Sequence, residues 1–227
     1  TDHRQDNIYT EESSLYQYTG LIPRKKYIFD KFNLEDLHGD YFIMQHSFYK
    51  TDILRKSGLK LLEKSFYVDM QFNTVPIREV QSFMYLQYDI YRYFIGRKDQ
   101  SVDLKSFVKN KKQHEMVLKW MIEDFNSIKK KLSINKRKYL KMILRYMTYT
   151  NYMIFCTYDN DKFSAIREIR NFDKYLAEVD KDLYETTNQY PLINMHRRSK
   201  FLTIFLSKYV LDWWDQIHNK IFSSNKK

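Results

Sequence analysis

Glycine and proline are scarce, with 4 and 3 copies in 227 residues. So few backbone punctuators argue against an all-β sandwich, a glycine-rich nucleotide fold and a collagen-like repeat, and favour helices. The single cysteine, Cys156, lies in the apolar run "YMIFCTY". It excludes a disulfide framework within the chain and a cysteine-based zinc site, and it suits a reducing cytosol. No apolar run approaches the roughly 18 to 20 uncharged residues of a membrane span, and "TDHRQDNIY" has no feature of a signal peptide. The expectation is a cytoplasmic protein, at most peripheral at the inner face of the membrane. The first residue is not Met, so a piece of a longer protein is expected.

Motifs are also missing. The histidines, His3, His38, His46, His114, His196 and His218, are scattered, with no two four residues apart and no carboxylate at ligand spacing. No metal site built from this chain alone is expected. There is no Gly-x-Ser-x-Gly elbow, phosphate-cradling glycine loop or Cys/His pair, so hydrolase, P-loop and dinucleotide chemistry lack their parts.

What is present is apolar and basic. A composition 43% hydrophobic and 17% aromatic can build a core. Thirty-nine Lys and Arg against 28 Asp and Glu give a net charge of +11, densest at "KKKLSINKRKYLKMILR", residues 129–145. Such charge attracts an anionic partner. Nucleic acid is not expected: in "RKYLKMILRYMTYTNY" helical spacing puts Tyr139, Ile143, Met147 and Ile154 on one core-facing stripe, leaving no platform on which bases could stack.

Residues 1–38 read as a polar, strand-poor lead-in. In "DYFIMQHSF" (40–48), Phe42, Met44, His46 and Phe48 alternate as in a strand. A short helix follows, with Thr51 as N-cap and Gly58 as stop. A second helix spans 68–80 with a break at Pro76, and 82–94 reads as a strand buried on both faces. Beyond Gly96 the period becomes helical. Four stripes follow: Leu104 to Ile128 on one long helix (104–131), Tyr139 to Ile154, Phe163 to Leu183, and Phe201 to Ile221. Short loops between them make an up-and-down bundle of about four helices the economical arrangement. The expected fold is α+β and predominantly α, divided into residues 1–103 and a helical region 104–227.

Two carboxylates, Glu63 and Asp69, flank a Phe-Tyr pair in "EKSFYVDMQF" (63–72). Asp69 enters a helix, where the exposed amides favour a carboxylate, so capping alone explains it. Together with "HSFYKTDILRKSGLKL" (46–61) and "YRYFIGRKDQSV" (91–102), however, this block resembles the second half of the catalytic domain of bacterial family 2 glycosyltransferases. The likeness is to those that assemble capsular and exopolysaccharides, and it covers roughly residues 40–105.

The resemblance implies a small remnant of a GT-A sheet on the acceptor side, followed by the helical region. Asp69 matches the position of the general base; such a transfer needs a carboxylate to take the acceptor hydroxyl proton. His46, Glu63 and Tyr67 are implied on the substrate side, with Glu63 orienting the loop. Arg97 and Gln100 of "GRKDQSV" are implied to contact phosphate or sugar hydroxyls, a task the guanidinium fork suits. Gln-x-x-Arg-Trp is absent, which argues against a processive synthase. The nucleotide-sugar donor and its divalent metal, Mg or Mn, are implied for a full-length enzyme but not for these residues, which lack the nucleotide-binding half and are expected to be inactive alone. Implied partners are a saccharide or lipid-linked acceptor, an anionic membrane surface and a second copy through the helical region. The alternative is a non-enzymatic basic helical module that binds a membrane or a protein.

Overall fold

A computed structural model describes residues 18–88, 91 and 104–206. The chain is mainly helical with one small sheet. In order come β1 (Lys26–Ile28), α1 (Thr51–Ser57), α2 (Val68–Thr74), β2 (Ser82–Met84), α3 (Leu104–Lys109), α4 (Lys111–Ile128), α5 (Ile134–Met153), α6 (Lys162–Val179), α7 (Lys181–Thr187) and α8 (Pro191–Arg198).

The helical region follows its apolar periodicity. On α4, His114, Val117, Leu118, Met121, Ile122 and Phe125 are buried at three- and four-residue spacing, the stripe that binds a helix to a core. On α5 the buried stripe runs from Tyr139 through Leu140, Ile143, Leu144 and Met147 to Asn151. Ser133, Asp161 and Asp180 start α5, α6 and α7 by accepting from the amides of Lys136, Ser164 and Leu183. Each such cap is worth about 1 kcal/mol.

Two breaks subdivide the expected helices. The stretch 104–131 is cut at Asn110, which leaves the helical region (φ −103°, ψ 16°) while its Nδ2 donates to the Ser106 carbonyl at 2.9 Å. The stretch 163–183 is cut at Asp180, which ends α6 in an extended conformation and caps α7. After α5 the helix widens into a π-turn, Ile154–Tyr158, closed by the Asp159 amide donating to the Ile154 carbonyl at 2.9 Å. Of the last expected helix, Leu202–Leu206 form a 3-10 turn, and the rest lies outside the described residues.

The expected strand at 40–48 does not form. Met44–His46 make a 3-10 turn instead, with the amides of His46 and Ser47 donating to the carbonyls of Ile43 and Met44, and the Ser47 hydroxyl also donating to Ile43. These local bonds consume the groups a ladder would need. Phe42 packs inward, but Phe48 is 77% exposed and His46 is exposed too, so the alternating residues do not share a buried face. Of the strand expected over 82–94, Ser82–Met84 is strand and is partly exposed rather than buried on both faces, Tyr85–Tyr88 and Tyr91 are not strand, and residues 89, 90 and 92–94 lie outside the described residues. This β2 pairs antiparallel with β1, in a part of the lead-in where no strand was expected, with Tyr27 opposite Phe83. Thr51 is the first helical residue rather than the cap, while Gly58 takes the left-handed stop at φ 67°. The break at Pro76 occurs: α2 passes into a 3-10 turn at Val75–Arg78.

One cluster of buried side chains includes residues from both the lead-in and the helices. At its centre Phe83 stacks on Tyr27 at 5.1 Å, with Phe32 and Phe42 each at 5.0 Å. Each such pair adds about 0.5–1.5 kcal/mol beyond burial. Two polar side chains of α5 mount this sheet on the helices. The Tyr139 hydroxyl accepts from the Phe42 amide at 2.9 Å, and Asn135 Nδ2 donates to the carbonyls of Phe29 and Phe32 at 3.0 and 2.7 Å.

Candidate functional site

The segment that leads into α2 is built by side chains from elsewhere. Gln71 Oε1 accepts from the Leu62 amide at 3.0 Å, and Gln113 Oε1 accepts from the Phe66 amide at 2.8 Å. Tyr67 then adopts a left-handed conformation (φ 68°, ψ 14°), unusual for a residue with a Cβ and costing about 1–2 kcal/mol. Its ring offsets that cost. It stacks on Phe107 of α3 at 5.6 Å and meets the edge of His114 of α4 at 5.0 Å. The left-handed residue turns the chain so that Val68 starts α2 and Asp69 stands in its first turn.

Asp69 is half-buried. Burial pushes its carboxyl above the ordinary aspartate value, outweighing the amides of Met70 and Asp69 itself, which pull it down. No cation compensates the carboxylate through an ion pair among the described residues. Two phenols, Tyr67 and Tyr41, feel its charge. Burial raises Tyr67 to about 12, with Asp69 adding to the rise. Tyr41 is raised still further by burial, with Tyr146 and then Asp69 contributing, so both phenols stay neutral and protonated. A carboxylate that holds a proton more readily than free aspartate, flanked by neutral hydroxyls, is equipped to accept a proton from an alcohol.

The other expected site residues are distributed unequally. The Met44–His46 turn packs against α2, so His46 enters the neighbourhood of Asp69's helix. Its imidazole lies edge-on to Tyr18 at 6.4 Å, and partial burial pushes its pKa down. Glu63 is exposed on the preceding turn. Tyr67 presents no hydroxyl to solvent: its oxygen is buried without a partner among the described residues. In this structure it fixes the turn. Arg97 and Gln100 lie outside the described residues. No group of three His, Cys, Asp or Glu side chains among the described residues could hold a metal ion. The divalent metal that the resemblance implies belongs to the nucleotide-binding half, and no step is derived through it.

Comparison with known proteins gave no matching family model, no matching curated protein and no matching solved structure.

Sequence reasoning missed Gln71, Gln113 and His114. His114 is 1% exposed, and its Nδ1 lies 3.1 Å from Asn151 Oδ1 on α5. An amide oxygen only accepts, so in this amide orientation Nδ1 carries the proton. Burial drops the imidazole to about 4, keeping it neutral. The signal available in the sequence was a histidine on the apolar stripe of α4. A second buried network was also unforeseen. Arg197 of α8 donates to Asp173 at 2.7 Å, to the Tyr184 carbonyl at 2.9 Å, and to Asn188 Oδ1 and the Tyr152 hydroxyl at 2.8 Å each. Tyr152 in turn donates to Asp173. Every arm of this guanidinium is engaged in tying α5, α6, α7 and α8 together, which marks it as structural. Among the described residues no helix is long and apolar enough to cross a membrane.

Proposed function

We propose that this chain is the acceptor-side portion of a glycosyltransferase, transferring a sugar from a nucleotide-sugar donor to a saccharide or lipid-linked acceptor, with Asp69 as general base. The observation that carries the reading is the state of Asp69: a half-buried carboxylate with raised proton affinity, set by the left-handed Tyr67 at the position to which the sequence resemblance assigns the base. A residue used only as a cap would gain from full ionisation at the helix start, whereas burial here works against it.

In the reaction, the Asp69 carboxylate accepts the proton of the acceptor hydroxyl as that oxygen bonds to the anomeric carbon and the nucleoside diphosphate departs. Tyr67 acts as a positioning residue through its ring contacts with Phe107 and His114. The lead-in, the turn before α1 and the β2 segment also carry exposed apolar side chains, among them Ile22, Ile28, Phe48, Met84 and Leu86. Such a surface is suited to packing against a further part of an enzyme.

The test uses a protein that carries the nucleotide-binding half as well. Asp69→Asn is expected to bind donor normally while transfer falls roughly 10²- to 10⁴-fold, the usual share of a general base. Turnover within a few-fold of the parent would remove Asp69 from that role.

A further inference from the structure

Two basic segments far apart in sequence meet at one end of the molecule. Asn135 holds the Phe29–Lys31 turn by its two hydrogen bonds to the Phe29 and Phe32 carbonyls, and the Ser133 hydroxyl donates to Asp30 beside it. This staple sets Lys31 against the turn and first coils of α5, where Lys130, Lys131 and Lys138 are exposed and Arg137 is half-buried. Among the described residues none of these five cations has an ion-pair partner. Of the acidic groups nearby, Asp180 is paired with Lys129 at 3.9 Å and Asp182 with Lys141, while Asp30 accepts from the Ser133 hydroxyl and keeps its charge, leaving the five cations in excess. In the middle of the cations Ile134 stands 63% exposed, four residues from Lys138 on the same helix face. Lys130 and Lys131 precede this exposed aliphatic in the chain and Lys138 follows it one turn on, so an apolar side chain and three exposed cations share the start of α5.

We infer that this end of the molecule docks on an anionic lipid bilayer. The cations lie against the headgroup phosphates, and Ile134 enters the boundary below them. The inference does not rest on the transferase reading. A bilayer fits better than a nucleic acid because the apolar residue at the centre of the face is aliphatic: it gains from a hydrocarbon boundary and offers no ring for base stacking.

The experiment is sedimentation of the full chain with vesicles of phosphatidylcholine alone, or with phosphatidylglycerol in equal parts. Binding is expected only to the anionic vesicles, and it should weaken strongly at about 0.5 M salt, where screening shortens to about 4 Å. Lys130→Gln with Lys131→Gln should weaken it roughly 25-fold, about fivefold for each charge. Ile134→Asn should weaken it roughly fivefold or more. The control, Lys105→Gln with Lys109→Gln, removes the same charge from α3, which precedes α4 and is separated from the Lys130–Lys131 turn by the roughly 27 Å length of that helix, and should leave binding unchanged. All four lysines are exposed, and thermal melts that match the parent's show that both double variants are folded. The proposal is overturned by no anionic binding, by equal loss in control and test variants, by an unaffected Ile134→Asn, or by a face that binds random oligonucleotides and ignores vesicles.

Discussion

Replacing Asp69 by Asn separates a capping aspartate from a destabilised one by the sign of a stability change. If Asp69 serves only the start of α2, losing its charge forfeits about 0.3–1 kcal/mol of interaction with the helix amides. For a chain of this size that is a fall in melting temperature of about 1–3 °C. The structure predicts the opposite. Burial is the dominant influence on this carboxyl, and its proton affinity in the fold exceeds that of the free side chain, whose pKa is 3.8. A group raised in this way contributes stability that is fully present below pH 3.8 and is lost as pH rises through its folded value. At neutral pH the ionised Asp69 is therefore a cost. Every tenfold the fold adds to its proton affinity is worth about 1.36 kcal/mol, or roughly 3–5 °C. Asn carries no charge, so Asp69→Asn should melt higher than the parent at pH 7, with the gap closing as the parent is titrated toward pH 3.8. Tyr67 and Tyr41 stay neutral throughout this range, and other titrating groups cancel in the difference between the two proteins. Thermal melts of both proteins across pH 3 to 8 provide the measurement. A variant less stable than the parent at pH 7, by a margin that shrinks as the parent's carboxylate is protonated at low pH, would refute the reasoning and return Asp69 to the cap.

Arg197→Met should cost about 3–5 kcal/mol in chemical denaturation, because it strands the Asp173 carboxylate among buried groups. A loss under 1 kcal/mol would show the network to be ornamental, and Asp173→Leu in the same chain should recover part of the loss. His114 and His196 are both held near pKa 4 by burial, below the ordinary 6.5. A depressed histidine lends stability above pH 6.5 that disappears as pH falls toward 4, by about 3 kcal/mol for each residue. Replacing both by Gln should flatten the stability profile between these limits, and an unchanged slope would place its origin elsewhere.

The helices were legible because their signal is local and repeated: the stripe of α4 recurs every three or four residues, and burial follows it. Their divisions were not, since one side chain decides each. Asn110 and Asp180 interrupt helices without a proline or glycine to announce it. The alternation at 40–48 misled because period two describes a strand only where another strand is available to pair, and here the backbone bonds to itself. Asp69 was legible as a carboxylate at a helix start. Its burial was not, and neither were the supports of its turn, because Gln113 and His114 act on Phe66 and Tyr67 across some 47 positions of sequence. The joining of the two basic segments escaped for the same reason: Asn135 reaches back 106 residues to the Phe29 carbonyl.

The π-turn at Ile154–Tyr158 fixes the angular phase of everything that follows α5. One additional residue in a helical turn rotates the following position by about 100°. Here that offset delivers Asp159 to the Lys111 ammonium at 2.5 Å, where Glu168 of α6 also arrives at 3.2 Å. Deleting a single residue from the turn would restore ordinary winding and swing the carboxylate out of reach. Lys111 would then face Glu168 alone, and the start of α6 would lose its angular reference to α4. A one-residue deletion in this turn should therefore do more harm than most substitutions within it, because it resets a rotation that no side-chain change can supply.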